Sequence, residues 1–196
     1  MFGTTKSPQE SLEKAIDLAK RAVALDEGHP AGHSILGVFY CYKREYDKAI
    51  AEVERAVALN PSGANHYAWY ASILTYAGRP EEAIPVFQKA IRLNPFSPGW
   101  YHLNFGHALR NTGRFEEAVS AYKKSLKLSP DNIPAHISLA ATYILMGREQ
   151  EARAEAAEVI RINPKFSLDL YAKRIPFKDQ SVVDKFIDAL RKAGLK

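Results

Sequence analysis

An alanine followed twelve residues later by a proline recurs four times along this 196-residue chain, and no other feature restricts its fold as tightly. The pairs are Ala49 with Pro61, Ala83 with Pro95, Ala118 with Pro130 and Ala152 with Pro164, and successive alanines lie 34, 35 and 34 residues apart. Ala15 stands a further 34 residues upstream, although Glu27 occupies its proline position. A fixed period of this length marks supersecondary units that bury their faces only by stacking on one another.

Within each unit the apolar residues recur at three- and four-residue spacing, the helical period, and no stretch alternates as a strand would. Two helices per unit follow. The first ends near Gly78, Gly113 or Gly147, where a residue of positive φ turns the chain without a Cβ penalty. In the first full unit Arg44 takes that place. The second helix ends before the recurring Asn-Pro or Ser-Pro, because proline drives the preceding residue out of the helical region. Pro85 falls inside a second helix, where it removes a hydrogen bond, and a kink is expected there.

Small residues repeat at Gly37, Ala71, Gly106 and Ala140 on first helices and at Ala49, Ala83, Ala118 and Ala152 on second helices, allowing close backbone approach. Leu36, Tyr70, Phe105 and Leu139, with Tyr40, Leu74, Leu109 and Tyr143, are expected to fill the space between helices. The chain thus divides into an N-terminal half-unit over 1–29, four units over 30–63, 64–97, 99–132 and 133–166, and a closing segment over 167–196. Ser7-Pro8-Gln9-Glu10 reads as a capping box that starts a helix running to Leu25. That helix lacks its partner, so either the chain is part of a longer protein, which is favoured, or the strip carrying Leu12, Ile16 and Leu18-Ala19 is a self-association surface. A last amphipathic helix, over about Ser181–Ala193, sets Val182, Val183, Phe186, Ile187 and Leu190 on one face and caps the stack.

Composition excludes several functions. The apolar fraction of 46% is that of a globular chain, and no stretch approaches the ~18 consecutive apolar residues of a membrane helix. The first residues, Met1 to Lys6, hold no apolar leader, so an unanchored, cytoplasmic chain is expected. A single cysteine, Cys41, rules out an internal disulfide and a cysteine zinc cluster. Most of the net charge of +5 is concentrated from Lys165 to the end, where eight Lys/Arg face four Asp. No aromatics interleave with them, so a solvated helix end is favoured over a nucleic-acid patch. His33, His102 and His136 hold equivalent places one unit apart and cannot converge on one metal ion. His29 and His33 are separated by Pro30, which disfavours a two-histidine site. No nucleophile–base–acid set, phosphate-cradling glycine loop or carboxylate pair is present, so neither catalysis nor a cofactor is expected.

The four units in register resemble the tetratricopeptide repeat, whose small and large positions these residues occupy from Pro30 to Phe166. The resemblance implies an all-α, right-handed solenoid of helix-turn-helix repeats that holds a protein or peptide in its concave groove. It also implies that first helices line that groove: Val38, Cys41 and Tyr42, then Asn65, Trp69, Ser72 and Tyr76, then Trp100, Leu103, Asn104, His107, Arg110 and Asn111, then Ile137, Ser138 and Ile144. Of these, Arg110 could grip a carboxylate with its fork of donors, and Asn104 and His107 stand one turn away. Trp69 and Trp100 are candidate anchors, and Cys41 is a small groove residue. The paired-lysine and asparagine set with which tetratricopeptide co-chaperones hold C-terminal carboxylates is missing, which disfavours a chaperone tail as partner. The closing segment, through Asn163-Pro-Lys-Phe-Ser-Leu168, Pro176-Phe-Lys-Asp and Leu190-Arg-Lys-Ala-Gly-Leu195, is similar to that of tetratricopeptide domains following class III adenylate/guanylate cyclase or DNA-binding domains in bacterial proteins. This implies, as the alternative, an oligomerisation or regulatory module of a larger signalling protein.

Overall fold

The computed structural model describes residues 7–196; residues 1–6 of the expected N-terminal half-unit lie outside the described residues. Helix α1 spans Pro8–Leu25. At its start the Ser7 hydroxyl accepts from the Glu10 amide at 3.2 Å and the Glu10 carboxylate accepts from the Ser7 amide at 3.1 Å, which occupies two donors that the helix cannot satisfy itself. Four antiparallel pairs follow: α2 (Pro30–Tyr42) with α3 (Tyr46–Leu59), α4 (Ala64–Tyr76) with α5 (Pro80–Leu93), α6 (Gly99–Asn111) with α7 (Phe115–Leu128), and α8 (Ile133–Leu145) with α9 (Glu149–Ile162). A five-residue helix, α10 (Leu168–Ala172), and α11 (Gln180–Lys192) complete the chain. Helix α5 continues through Pro85 to Leu93.

The repeated residues close each helix in the same way. After α4, α6 and α8 the chain turns at Gly78, Gly113 and Gly147, with φ of 84°, 77° and 75°, and after α2 it turns at Arg44 with φ of 64°. In each case the amide of the next residue returns to a carbonyl in the last turn: Glu45 to Tyr40, Arg79 to Leu74 and Arg114 to Leu109 at 2.9 Å, and Arg148 to Tyr143 at 2.8 Å. At the other end of each unit Asn60, Asn94, Ser129 and Asn163 leave the helical region, with ψ between 82° and 89°, as the proline after each favours.

The four alanines that define the period are fully buried. A Cβ on Gly106 would lie 2.4 Å from the Tyr122 ring, and one on Gly37 would lie 2.8 Å from Val53, so only glycine lets these backbones approach so closely. His33 and His136 pin equivalent units. Their Nδ1 atoms meet the Glu52 and Glu155 carboxylates at 2.7 and 2.6 Å, and their Nε2 atoms meet the carbonyls of Glu27 and Pro130 at 3.1 and 2.9 Å. Each ring therefore joins an inner helix to its outer partner and to the preceding turn.

Along the stack α2 touches α4, α4 touches α6 and α6 touches α8, whereas the outer helices α3, α5 and α7 pack chiefly against the inner helices on either side. This packing makes a right-handed α-solenoid with α2, α4, α6 and α8 on its inside. The closing helix α11 seals the stack from that inner side, packing chiefly against α8. Its apolar face buries Val183, Phe186, Ile187 and Leu190, and the carbonyl of Lys196 accepts from the Leu168 amide at 2.8 Å.

Candidate functional site

Entering α11 from that side requires the chain to cross the groove between α10 and α11, and residues 174–178 do so as a strap. Its backbone is read by the first two units. Arg44 donates to the carbonyls of Phe177 and Ile175 at 3.0 and 3.1 Å, the Tyr46 hydroxyl donates to the Pro176 carbonyl at 2.9 Å, and the Lys178 amide donates to the Tyr76 carbonyl at 2.8 Å. Phe177, 5% exposed, sets its ring edge-on to Tyr76 at 5.0 Å, with His107 beyond.

Between strap and inner helices lies a cavity of about 290 Å³. It gathers Val38, Cys41, Tyr42, Trp69, Ser72, Tyr76, Trp100, Leu103, Asn104, His107 and Arg110, all anticipated from the repeat register. Trp69 and Trp100 stack at 4.3 Å between ring centres, joining α4 to α6. Asn104 accepts from the Tyr76 hydroxyl at 2.8 Å and donates to the Trp100 carbonyl at 3.0 Å, so both ends of its amide are in use. Burial pushes the Cys41 thiol up to about 12, against a small opposing pull from Arg44, and keeps it protonated and unreactive.

At the inner end of the cavity two neighbours on α6 hold unmatched atoms. Ser138 donates its hydroxyl proton to the Pro134 carbonyl at 2.8 Å and so receives Nε2–H of His107 at 3.0 Å. Nδ1 of His107 is therefore a bare acceptor, buried and without a partner among the described residues. Burial, helped by the Arg110 charge, holds this imidazole well below its ordinary range and neutral. Arg110 is 5% exposed. Its Nε and Nη2 reach Asn111 only at 3.4 and 3.3 Å, Phe186 lies 4.2 Å beneath its guanidinium, and Nη1 has no partner among the described residues.

The remaining anticipated residues lie off the cavity. Asn65 accepts from the Tyr101 hydroxyl at 2.6 Å, Asn111 serves Arg110, Ile137 and Ser138 are fully buried between helices, and Ile144 packs half-buried against the core. Conversely, Tyr171, Arg174, Ile175, Pro176, Phe177 and Phe186 form the outer wall that the repeat register did not supply. Among the described residues no three His, Cys, Asp or Glu side chains group as metal ligands, and no helix is long and apolar enough to cross a membrane.

Two family models, both described as tetratricopeptide repeat, match residues 40–98 and 109–173, which together make up more than half of the chain. The chain belongs to the tetratricopeptide-repeat family. Members of that family are in general protein-interaction scaffolds. Among solved structures this tetratricopeptide chain is similar to PilW, a "widely conserved type IV pilus biogenesis factor", with a TM-score of 0.75 and 22% identity over 94% of this chain and 82% of that one. It is also similar to TTC0263, a thermophilic tetratricopeptide protein of Thermus thermophilus, with a TM-score of 0.71 and 24% identity over 92% and 91%. YrrB, described as having "an unusual peptide-binding site", aligns with a TM-score of 0.61 and 25% identity over 84% of each chain. No curated protein sequence matches the chain.

Proposed function

We propose that this protein is a non-enzymatic scaffold that holds a segment of a partner polypeptide along its concave face, between the Trp69–Trp100 stack and the strap. One observation carries the reading: the groove already receives a non-helical peptide segment, its own Ile175–Lys178, through side-chain donors to successive carbonyls and a socket for an aromatic ring. Main-chain hydrogen bonds supply affinity for any extended segment, and pockets for alternate side chains supply selectivity. Trp69 and Trp100 offer the rigid aromatic surface that dominates interface energetics, and the peptide-binding character of YrrB agrees with this use of the fold.

The test is a pull-down from the source organism's lysate with wild type beside a Trp69→Ala, Asn104→Ala, Arg110→Ala variant of matched helicity. A partner retained by wild type and lost by the variant supports the groove as its site; identical profiles contradict it. A second reading, self-association through α1, is favoured by Leu18 and Leu25, which are 53% and 89% exposed on the outer side of that helix. A mass that rises with concentration and returns to monomer in Leu18→Glu would support it, and a constant mass would remove it.

A further inference from the structure

We propose that the strap is an internal ligand that closes the groove, and that a partner segment with the same aliphatic–proline–aromatic order as Ile175-Pro176-Phe177 binds by displacing it. The inference rests on reading the groove as a polypeptide site, and adds to that reading the partner's sequence chemistry and the step that controls its entry. Three features of the seated strap define what the first two units recognise. Arg44 and Tyr46 reach the carbonyls of three successive residues, Ile175, Pro176 and Phe177, so the backbone is held whatever side chains it carries. The middle residue is a proline, which has no amide N–H to strand in an apolar groove and whose fixed φ lowers the entropy lost on seating. On either side of it Ile175 and Phe177 are 6% and 5% exposed, and the Phe177 ring meets Tyr76 and His107.

Lack of room is the reason the strap has to move. With the strap in place the cavity measures about 290 Å³, at the small end of the ~300–1,000 Å³ usual for single ligands, and a segment of several residues does not fit. The strap's hold on the first two units consists of the hydrogen bonds at Arg44, Tyr46 and Lys178 and the burial of Ile175 and Phe177. The closing helix is fastened separately, through its own apolar face and chiefly on α8. Lifting residues 175–178 therefore uncovers the inner wall while α11 stays seated. A tethered strap competes with a free segment at an effective concentration on the order of millimolar, and a partner's apparent affinity scales with the fraction of chains whose strap is open.

Fluorescence anisotropy would follow a labelled, end-capped peptide of residues 173–179 added to wild type and to two chains with a weakened strap, Phe177→Ala and Pro176→Gly. Both variants keep Arg44, Tyr46 and Tyr76 for the added peptide. Phe177→Ala empties the socket, whereas Pro176→Gly loosens the strap's backbone and keeps both buried side chains, so one serves if the other fails to fold. The peptide should bind the variants at least ~10-fold more tightly than wild type, and a peptide carrying Phe177→Ala should lose at least ~10-fold on them, as removal of an aromatic anchor entails. Equal affinity of the peptide for wild type and both variants overturns the displacement and leaves the groove as an open polypeptide site. An alanine peptide that binds as well as its parent overturns the aliphatic–proline–aromatic order. Absence of binding to either variant at millimolar concentration overturns the strap as a ligand; the groove reading falls with it only if peptides selected from a displayed random library also bind neither wild type nor variants.

Discussion

Arg44 holds a conformation that an L side chain adopts at a cost of about 1–2 kcal/mol, at the place where the three later units use glycine. Its guanidinium spans two carbonyls of the strap, and these bonds, partly open to water, offset the strain by a similar amount, ~0.5–1.5 kcal/mol each. Arg44→Gly should therefore change the thermal midpoint little, because relief of strain and loss of the bonds nearly cancel. Arg44→Ala keeps the strain and loses the bonds, so it should be less stable than the glycine variant by about 1 kcal/mol in denaturant unfolding. Equal stability of the two would contradict the strained turn. His107 makes a second test at this scale. The folded chain keeps its imidazole neutral well below the ordinary value of 6.5, whereas the unfolded chain takes up a proton there. Stability should thus fall as pH drops below about 6.5, by up to 1.36 kcal/mol per unit from this group, until the folded ring also titrates. His107→Gln should flatten that part of the stability curve, and an unchanged slope would place the proton uptake elsewhere.

At the scale of helices the repeat was legible because each unit repeats the same local physics. The capping box at Ser7, the turn glycines, the residues before each proline and the buried alanines are all set by neighbours within a few positions, so the sequence pattern reports them directly. Close packing at Gly106 extends the argument to an energy. Gly106→Ala would gain ~1 kcal/mol of helix propensity, but its methyl would meet the fully buried Tyr122 ring at 2.4 Å, and overpacking costs about 1–3 kcal/mol. A net loss of stability is expected, and Tyr122→Leu in the same chain should recover part of it. A more stable Gly106→Ala would show that α6 and α7 can separate at no cost. The strap, by contrast, was not legible. Its partners at Arg44, Tyr46 and Tyr76 are joined to it by contacts spanning about a hundred residues or more, and no local period carries such information. The one visible trace was the arginine standing where the other units place glycine.

For the molecule as a whole, the return of α11 along the inner side changes what the groove is. A tetratricopeptide stack with an external cap would leave α2, α4 and α6 open to solvent, whereas here the strap covers their C-terminal halves and turns an open trough into a small walled cavity. The register of the repeat found the inner wall, since it tells which face of each first helix is turned away from its partner. It also placed Ile137, Ser138 and Ile144 in the groove, but α8 spends that face on packing against α11 and on the bond from His107. On the proposed function, a partner would lie along the stretch from Tyr42 past Trp69 to Trp100. The most direct test is selection of a displayed random-peptide library on wild type, followed by calorimetry of the enriched peptides on wild type and on Trp69→Ala of matched helicity. The account expects peptides that bind wild type saturably and lose at least ~10-fold in affinity on the variant, as removal of a central aromatic anchor entails. Failure to enrich any peptide, or equal affinity for the two proteins, would contradict a polypeptide site in the groove.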